Sequence, residues 1–184
     1  MDKYESKRLK FEGIFIIEYP TFGDSVRNSK KLFDNAERNI FSDLSFKPSE
    51  SMLINSKQGV LRGMHYQSYE SKRQNRLVYV ISGNVYVVVA DINEERSTYG
   101  SWDSLRITAE DNTCVYIPGD YALGTLACTD SSMLVFYDGT YEAGYDAGFR
   151  YDDDMMGISW EMSNEKICVA EKDLRLPSFQ KRRK

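Results

Sequence analysis

Residues 59–67 read GVLRGMHYQ and contain His65, the only histidine among the 184 residues of the chain. Histidine changes charge near neutral pH, so proton transfer that needs a base under ordinary conditions has this one imidazole to use. The apolar residues of the run predict a half-buried strand. Its four other side chains are polar, which a strand built only for packing would not need. Two interpretations stay open: an inert histidine at a strand edge, or a catalytic base.

The chain around this run is typical of an antiparallel β-protein. Short stretches rich in β-branched and aromatic residues alternate with turns that contain glycine, asparagine, aspartate and proline, as in a sandwich or barrel. No helical pattern separates these stretches, which disfavours a parallel α/β sheet. We predict strands at 60–67, 76–82, 84–91, 104–108, 113–117, 122–128 and 132–137.

The remaining segments carry weaker signals. Residues 13–19 form an apolar run that ends at Pro20, as an opening strand would. Apolar residues at helical spacing predict one short helix within 31–41, and residues 46–56 are predicted as loop and strand. The text after Tyr141 is acidic and irregular, and residues 171–173 are predicted to open a last short helix or turn.

Length and composition favour one ordered domain over residues 1–184, with an N-terminal strand region at 11–19, a core at about 50–141 and a C-terminal segment at 142–184. The net charge of −4 does not favour a nucleic-acid partner. No stretch has the eighteen or so apolar residues of a membrane span, and the N-terminus lacks a signal-peptide core. We therefore expect a cytoplasmic protein without a membrane partner.

Residues 59–67 resemble the central signature of nucleotide-sugar epimerases of the dTDP-4-dehydrorhamnose 3,5-epimerase type, usually written G-V-L-R-G-L-H-Y-Q, from which only Met64 departs. The similarity extends from about residue 13 to residue 173 through 74–78, 82–85, 117–119, 157–160 and 171–173. The resemblance implies an all-β jelly roll of the cupin type with a few short helices. It also implies catalysis without cofactor or metal, and a homodimer in which N-terminal strands are exchanged or laid across the partner.

An epimerase that acts beside a ketone removes a carbon-bound proton, holds the enolate and reprotonates the opposite face. The resemblance makes His65 the base and Asp173, in the E-K-D run, the carboxylate that orients it. The family's lysine falls on Arg76, which keeps the positive charge and can neutralise an enolate oxygen or bind a phosphate, although it cannot act as a base.

Four further residues are expected to contact the substrate. Arg62 resembles the family's second cationic contact, and Gln67 closes the same signature. Arg27 lies in a stretch, 22–27, that echoes the family's phosphate-binding text one residue out of register. Tyr141 matches the last tyrosine of a motif after the predicted strand at 132–137.

The chain departs from the family pattern where a second histidine and the acid tyrosine are usual. Leu123 stands at that histidine and Val135 at that tyrosine. Tyr137 faces the same way as Val135, because strand side chains alternate with period two. It therefore either replaces the lost phenol or is an ordinary sheet tyrosine.

These residues predict an epimerase that inverts C3 and/or C5 of a nucleotide-linked 4-keto-6-deoxy sugar, with inversion at a single carbon favoured by the departures. The nucleotide stays open among dTDP, CDP and GDP. Two alternatives remain: a family member that binds a nucleotide sugar without turnover, and a 3,4-ketoisomerase on the same fold. A cupin metal centre is disfavoured, because it needs two or three histidines.

Overall fold

The computed structural model describes residues 5–8, 10–34, 40–69 and 73–180. Nearly all regular structure in these ranges is strand, as expected from their β-branched and aromatic residues. The strands are β1 (Glu5–Arg8), β2 (Phe15–Glu18), β3 (Thr21–Gly23), β4 (Asn28–Lys30), β5 (Glu50–Ser56), β6 (Val60–Gln67), β7 (Arg76–Ser82), β8 (Asn84–Asp91), β9 (Trp102–Thr108), β10 (Thr113–Ile117), β11 (Tyr121–Ala127), β12 (Ser131–Tyr137), β13 (Asp146–Gly148) and β14 (Cys168–Val169). The α-helices are α1 (Ile40–Asp43) and α2 (Glu171–Leu174), and single 3-10 turns lie at Ala143–Tyr145 and Asn164–Lys166.

Two sheets face each other. The first sheet has the order β1-β2-β10-β7-β12-β5, and the second has the order β13-β6-β11-β8-β9. The short β14 adds to β6 in parallel, and β3 and β4 form a separate hairpin. The predicted antiparallel jelly-roll sandwich with few short helices is confirmed.

Apolar side chains fill the space between the sheets and also cover both outer faces. Val78, Val87 and Val135 belong to the cluster between the sheets. A second cluster packs the C-terminal segment onto the outer face of the second sheet, and a third covers the outer face of the first. Central strands are therefore buried on both sides, which explains why residues 85–89 have no polar face.

The strand predictions are confirmed closely. Those at 60–67, 76–82, 84–91 and 113–117 have the predicted bounds, and the other three begin or end within two residues of them. The loop and strand at 46–56 contain β5, the run at 13–19 contains β2, and α2 begins at the expected Glu171. No helix in the described part of the chain has the length and apolarity needed to cross a membrane.

The helix predicted within 31–41 is wrong for its first part. Residues 31–34 are not helical, residues 35–39 lie outside the described ranges, and α1 covers only Ile40–Asp43. The Phe33 ring packs against Phe41, with centroids 4.9 Å apart, and against Phe136 of β12. Leu32 and Phe33, two of the apolar residues that suggested a helix, instead lie in a non-helical segment that packs over the outer face of the first sheet.

Candidate active site

A cavity of about 550 Å³ lies between the two sheets. Its walls are β5, β12 and β7 of the first sheet and β6 and β11 of the second, and Asp173 of α2 also lines it. Because side chains alternate along a strand, β5, β7, β11 and β12 each present every second residue to the cavity, whereas β6 lines it with residues 60–62 and 65–67. His65, Arg76 and Tyr137 are thereby brought together from positions that lie far apart in the chain.

His65 forms a pair with Asp173. The His65 Nε2 atom lies 3.1 Å from Asp173 Oδ1, and Asp173 is 2% exposed. The other carboxylate oxygen, Oδ2, accepts the Gly63 backbone N–H at 3.2 Å. A carboxylate held at both oxygens fixes the orientation of the imidazole. If Nε2 carries the proton that it donates to Asp173, then Nδ1 holds the lone pair of the neutral ring.

Gly63 is required where β6 passes close to β11. Its φ is +130°, and a Cβ at this position would lie 2.7 Å from the Cα of Gly124. Any side chain would push β6 away from β11 or displace the N–H that Asp173 accepts. The second glycine of the signature therefore supports the position of the His65 ring.

Arg76 is a buried cation that joins the two sheets. Its guanidinium donates to the backbone oxygen of Tyr121 at 2.6 Å and to that of His65 at 3.4 Å. Its Nε is buried and has no hydrogen-bond partner within the described structure. Burial lowers the Arg76 pKa to about 10, so the side chain is still charged near neutral pH. This positive charge lies at the level of His65 in the cavity.

Tyr137 lies between Arg76 and Glu50. In the sheet register, Tyr137 of β12 pairs with Arg76 of β7 on one side and with Glu50 of β5 on the other. Burial raises the pKa of Tyr137, the nearby Arg76 charge opposes this, and Glu50 adds to it. The phenol is therefore protonated near neutral pH and can donate a proton. Of the two sequence interpretations of Tyr137, this position favours the replaced phenol.

The remaining predicted contacts divide into two groups. Arg62, Gln67 and Tyr141 line the cavity. Arg27 does not: it lies beside the β3–β4 hairpin, its side chain is 85% exposed, and it pairs with Asp24. Within one chain, therefore, the structure brings seven of the eight predicted site residues together. The roles of all eight stay predictions.

The chain is similar to known proteins over most of its length. A family model described as dTDP-4-dehydrorhamnose 3,5-epimerase matches residues 8–181. The chain belongs to that family. A dTDP-4-dehydrorhamnose 3,5-epimerase from Methanothermobacter thermautotrophicus is 32% identical over 178 residues, which cover 94% of this chain and 93% of the relative.

Solved structures share the fold. An epimerase from Legionella pneumophila, in complex with dTDP-4-keto-L-rhamnose, has a TM-score of 0.85 at 23% identity, with 97% of this chain and 100% of that chain covered. ChmJ, a 3'-monoepimerase from Streptomyces bikiniensis in complex with dTDP-quinovose, has a TM-score of 0.83 at 22% identity, with 92% and 85% covered. Family membership confirms the predicted class, an epimerase of nucleotide-linked 4-keto-6-deoxy sugars.

The two departures from the family's usual text both face the cavity. Leu123 of β11 pairs with His65, and Val135 of β12 pairs with Val78. Both positions line the cavity, so the usual histidine and tyrosine are replaced by apolar surface in the wall of the site itself.

Sequence reasoning missed Glu50 and Lys172, which also line the cavity. The Glu50 carboxylate accepts the Tyr141 backbone N–H at 3.1 Å, which connects two segments of the cavity rim. The sequence prediction for 46–56 did not define where β5 begins and ends. With defined bounds, the alternation of side chains would have placed Glu50 on the same face as Ile54. Lys172 was visible as the middle residue of the E-K-D run, beside Asp173.

The site contains no arrangement of side chains typical of a metal centre. In the described ranges, no group of three histidine, cysteine or carboxylate residues is placed to bind a metal ion. The groups that line the cavity include an imidazole with its carboxylate, a buried guanidinium and a phenol. These are the groups that proton transfer beside a ketone needs.

Proposed function

We propose that this epimerase inverts one carbon, C3 or C5, beside the ketone of a dTDP-linked 4-keto-6-deoxy sugar. The observation that carries the proposal is the placement of two proton-transfer groups in opposite walls of one cavity. His65 and Asp173 lie in one wall, and Tyr137 lies in the facing sheet. The choice of dTDP is supported by relatives that are named for, or are bound to, dTDP sugars.

In the proposed mechanism, His65 removes the proton from the carbon next to the ketone. Asp173 keeps the ring oriented and stabilises the imidazolium that forms, as a carboxylate does in other histidine dyads. Negative charge moves to the ketone oxygen, and Arg76 supplies the positive charge that stabilises it. Tyr137 then donates its proton to the opposite face of the same carbon. The phenolate and the imidazolium return to their starting states by exchange with water.

The proposed diphosphate contacts lie at the other end of the cavity. Arg62 is exposed, and its guanidinium donates to Ser56 Oγ at 3.2 Å and to the Asn55 backbone oxygen at 3.3 Å. This leaves part of a planar, charged fork available to a phosphate oxygen. Lys172 lines the same cavity and adds a second cation. Gln67 and Tyr141 are proposed to contact the sugar or the base.

The role of Arg27 requires a second copy of the chain. Because Arg27 is exposed on its own chain, it contacts the substrate only if the hairpin at 21–30 reaches a partner's cavity. We propose the homodimer that the family resemblance implies, with Arg27 supplied in this way. Sedimentation velocity tests the dimer, and an increase in KM without loss of kcat for Arg27→Ala tests the contact.

Deuterium exchange tests the main proposal. Purified protein is incubated in deuterated water with dTDP-, CDP- and GDP-linked 4-keto-6-deoxy sugars, and NMR follows deuterium at each carbon. We expect incorporation at one carbon of the dTDP sugar and none with His65→Asn. Incorporation at both C3 and C5 refutes the single-carbon proposal. Binding without exchange supports the non-catalytic alternative, and movement of the carbonyl from C4 to C3 supports the ketoisomerase.

A further inference from the structure

The inner face of the first sheet is divided into rows that run across three strands. In the sheet register, Tyr137 lies between Glu50 and Arg76, and these three side chains form a polar row. The row lies level with His65, because Arg76 donates to the backbone oxygen of His65. All four residues line the cavity. One end of the cavity therefore holds the groups proposed for proton transfer.

The next row is entirely apolar. Two residues along each strand, roughly 6.6 Å away, Val135 lies between Met52 and Val78. Beyond it, Met133 pairs with Ile54 in the same way. These five side chains line the cavity, and all of them except the half-exposed Met52 belong to or pack against the core between the sheets. Together they form the apolar floor of the cavity.

The apolar floor lies between the polar row and Arg62. Arg62 donates to Asn55 and Ser56, which follow Ile54 at the end of β5. Thr125 lies in the facing wall of the cavity. It pairs with Arg62 and therefore lies at that same end. A sugar whose diphosphate meets Arg62 and whose ketone meets Arg76 must lay the middle of its ring across the apolar floor.

The middle of such a ring has two edges, which connect C1 to C4. One edge passes through the ring oxygen and C5, which carries the 6-methyl group and suits an apolar surface. The other passes through C2 and C3. The C3 hydroxyl lies beside the ketone at the polar row, so the C2 hydroxyl is the group left over the apolar floor. A hydroxyl buried there loses its hydrogen bonds to water without replacement.

We propose that the preferred substrate lacks the C2 hydroxyl, and is thus a nucleotide-linked 4-keto-2,6-dideoxy sugar. This inference rests on the proposed function and narrows its substrate class. It follows from the position of the apolar floor between the two charged ends of the cavity.

The test compares kcat/KM for dTDP-4-keto-6-deoxyglucose and dTDP-4-keto-2,6-dideoxyglucose, measured as initial rates of deuterium incorporation. We expect the dideoxy sugar to be preferred by about ten- to a hundredfold, the range over which an apolar pocket discriminates against an added hydroxyl. Val135→Thr places a hydroxyl in the apolar floor with little change of shape. It should reduce the preference for the dideoxy sugar by about fivefold, which is the effect of one hydrogen bond to the C2 hydroxyl.

Val80→Thr is the matched control. Val80 is 1% exposed in the same sheet and belongs to the same core cluster, but it does not line the cavity. It should leave the substrate ratio unchanged. Both sugars are measured with the same preparation of each variant. Partial unfolding therefore lowers both kcat/KM values equally and leaves their ratio unchanged. Equal kcat/KM values, or a preference for the C2-hydroxylated sugar, overturn the inference and leave the epimerase intact. Absence of exchange with both sugars overturns the proposed function and the inference together.

Discussion

Replacement of Asp173 by asparagine separates the orienting role of this residue from its packing. Asp173 is 2% exposed and is held by His65 Nε2 and the Gly63 N–H. Asparagine has the same shape. Its carbonyl oxygen can still accept from Gly63, in which case its NH2 group points at His65. The imidazole must then accept at Nε2 and carry its proton at Nδ1, so it is held in the wrong tautomer to act as a base.

The magnitude follows from the geometry. At 3.1 Å, the attraction between an imidazolium and a carboxylate is about 5 kcal/mol at an effective dielectric constant of about 20. The His65 side chain is 27% exposed, so solvent reduces this value, and about 3–4 kcal/mol is a reasonable remainder. We therefore expect Asp173→Asn to lower kcat by about 10²–10³-fold, within the range for loss of a general base.

The assay is deuterium incorporation under substrate saturation, with the folded fraction measured by thermal unfolding. Asp153→Asn provides a matched control. Asp153 is a buried aspartate that accepts the backbone N–H groups of Met155, Met156 and Phe179, and it does not line the cavity. It should lower stability and leave kcat per folded molecule unchanged. A loss of less than tenfold for Asp173→Asn, or a loss that matches its unfolded fraction, would refute the dyad.

Three further predictions concern the acid, the pH dependence of stability and the backbone at the site. Tyr137→Phe should abolish inversion while deuterium exchange continues, because His65 still removes the proton; unchanged inversion by NMR would exclude Tyr137 as the acid. Burial raises the Cys114 pKa from 9.0 to about 12, so stability that is complete below pH 9 should fall by up to about 1.4 kcal/mol per pH unit as the pH rises towards 12. Denaturant titrations should show that the free energy of unfolding falls less with pH in Cys114→Ala than in the unmodified protein. The same pH dependence in both proteins would contradict the contribution of the Cys114 thiol. Gly63→Ala should destabilise the fold by about 1–3 kcal/mol, whereas the same denaturant titrations on Gly144→Ala, where a Cβ meets nothing within 4 Å, should show little change.

Strand positions could be predicted from the sequence because the signals are local. Period-two patterning and turn residues are sufficient to bound β6, β7, β8 and β10, and they do not depend on which strands are neighbours. The segment at 31–34 shows where this reasoning fails. The Tyr79 hydroxyl of β7 donates to the backbone oxygen of Leu32, a contact across 47 residues of sequence. The apolar spacing indicated that the segment packs against the sheet, but it did not indicate that the segment does so without forming a helix.

Most of the predicted site residues line the cavity, but the sequence did not indicate how they are arranged there. His65, Arg62 and Asp173 were identified from the signature and the E-K-D run. That Tyr137 pairs with Arg76, and that Glu50 lies on its other side, depends on the register of three strands distant in the chain. Nothing in the sequence of residues 50–56 indicates which strand they pair with, because β12 lies far from β5 along the chain.

The register also bears on how many carbons the enzyme inverts. The family's acid tyrosine corresponds to Val135, and Tyr137 lies one row, roughly 6.6 Å, further along β12. A phenol moved by a full row cannot reach the same carbon unless the sugar moves with it. In this chain the row of Val135 is apolar, while Arg76, which we propose stabilises the enolate oxygen, lies in the row of Tyr137. C3 and C5 lie on opposite sides of the ketone carbon, so a ketone fixed at Arg76 presents only one of them to Tyr137. The displacement of a single tyrosine would thus explain the inversion at one carbon that we propose, without any change in the base.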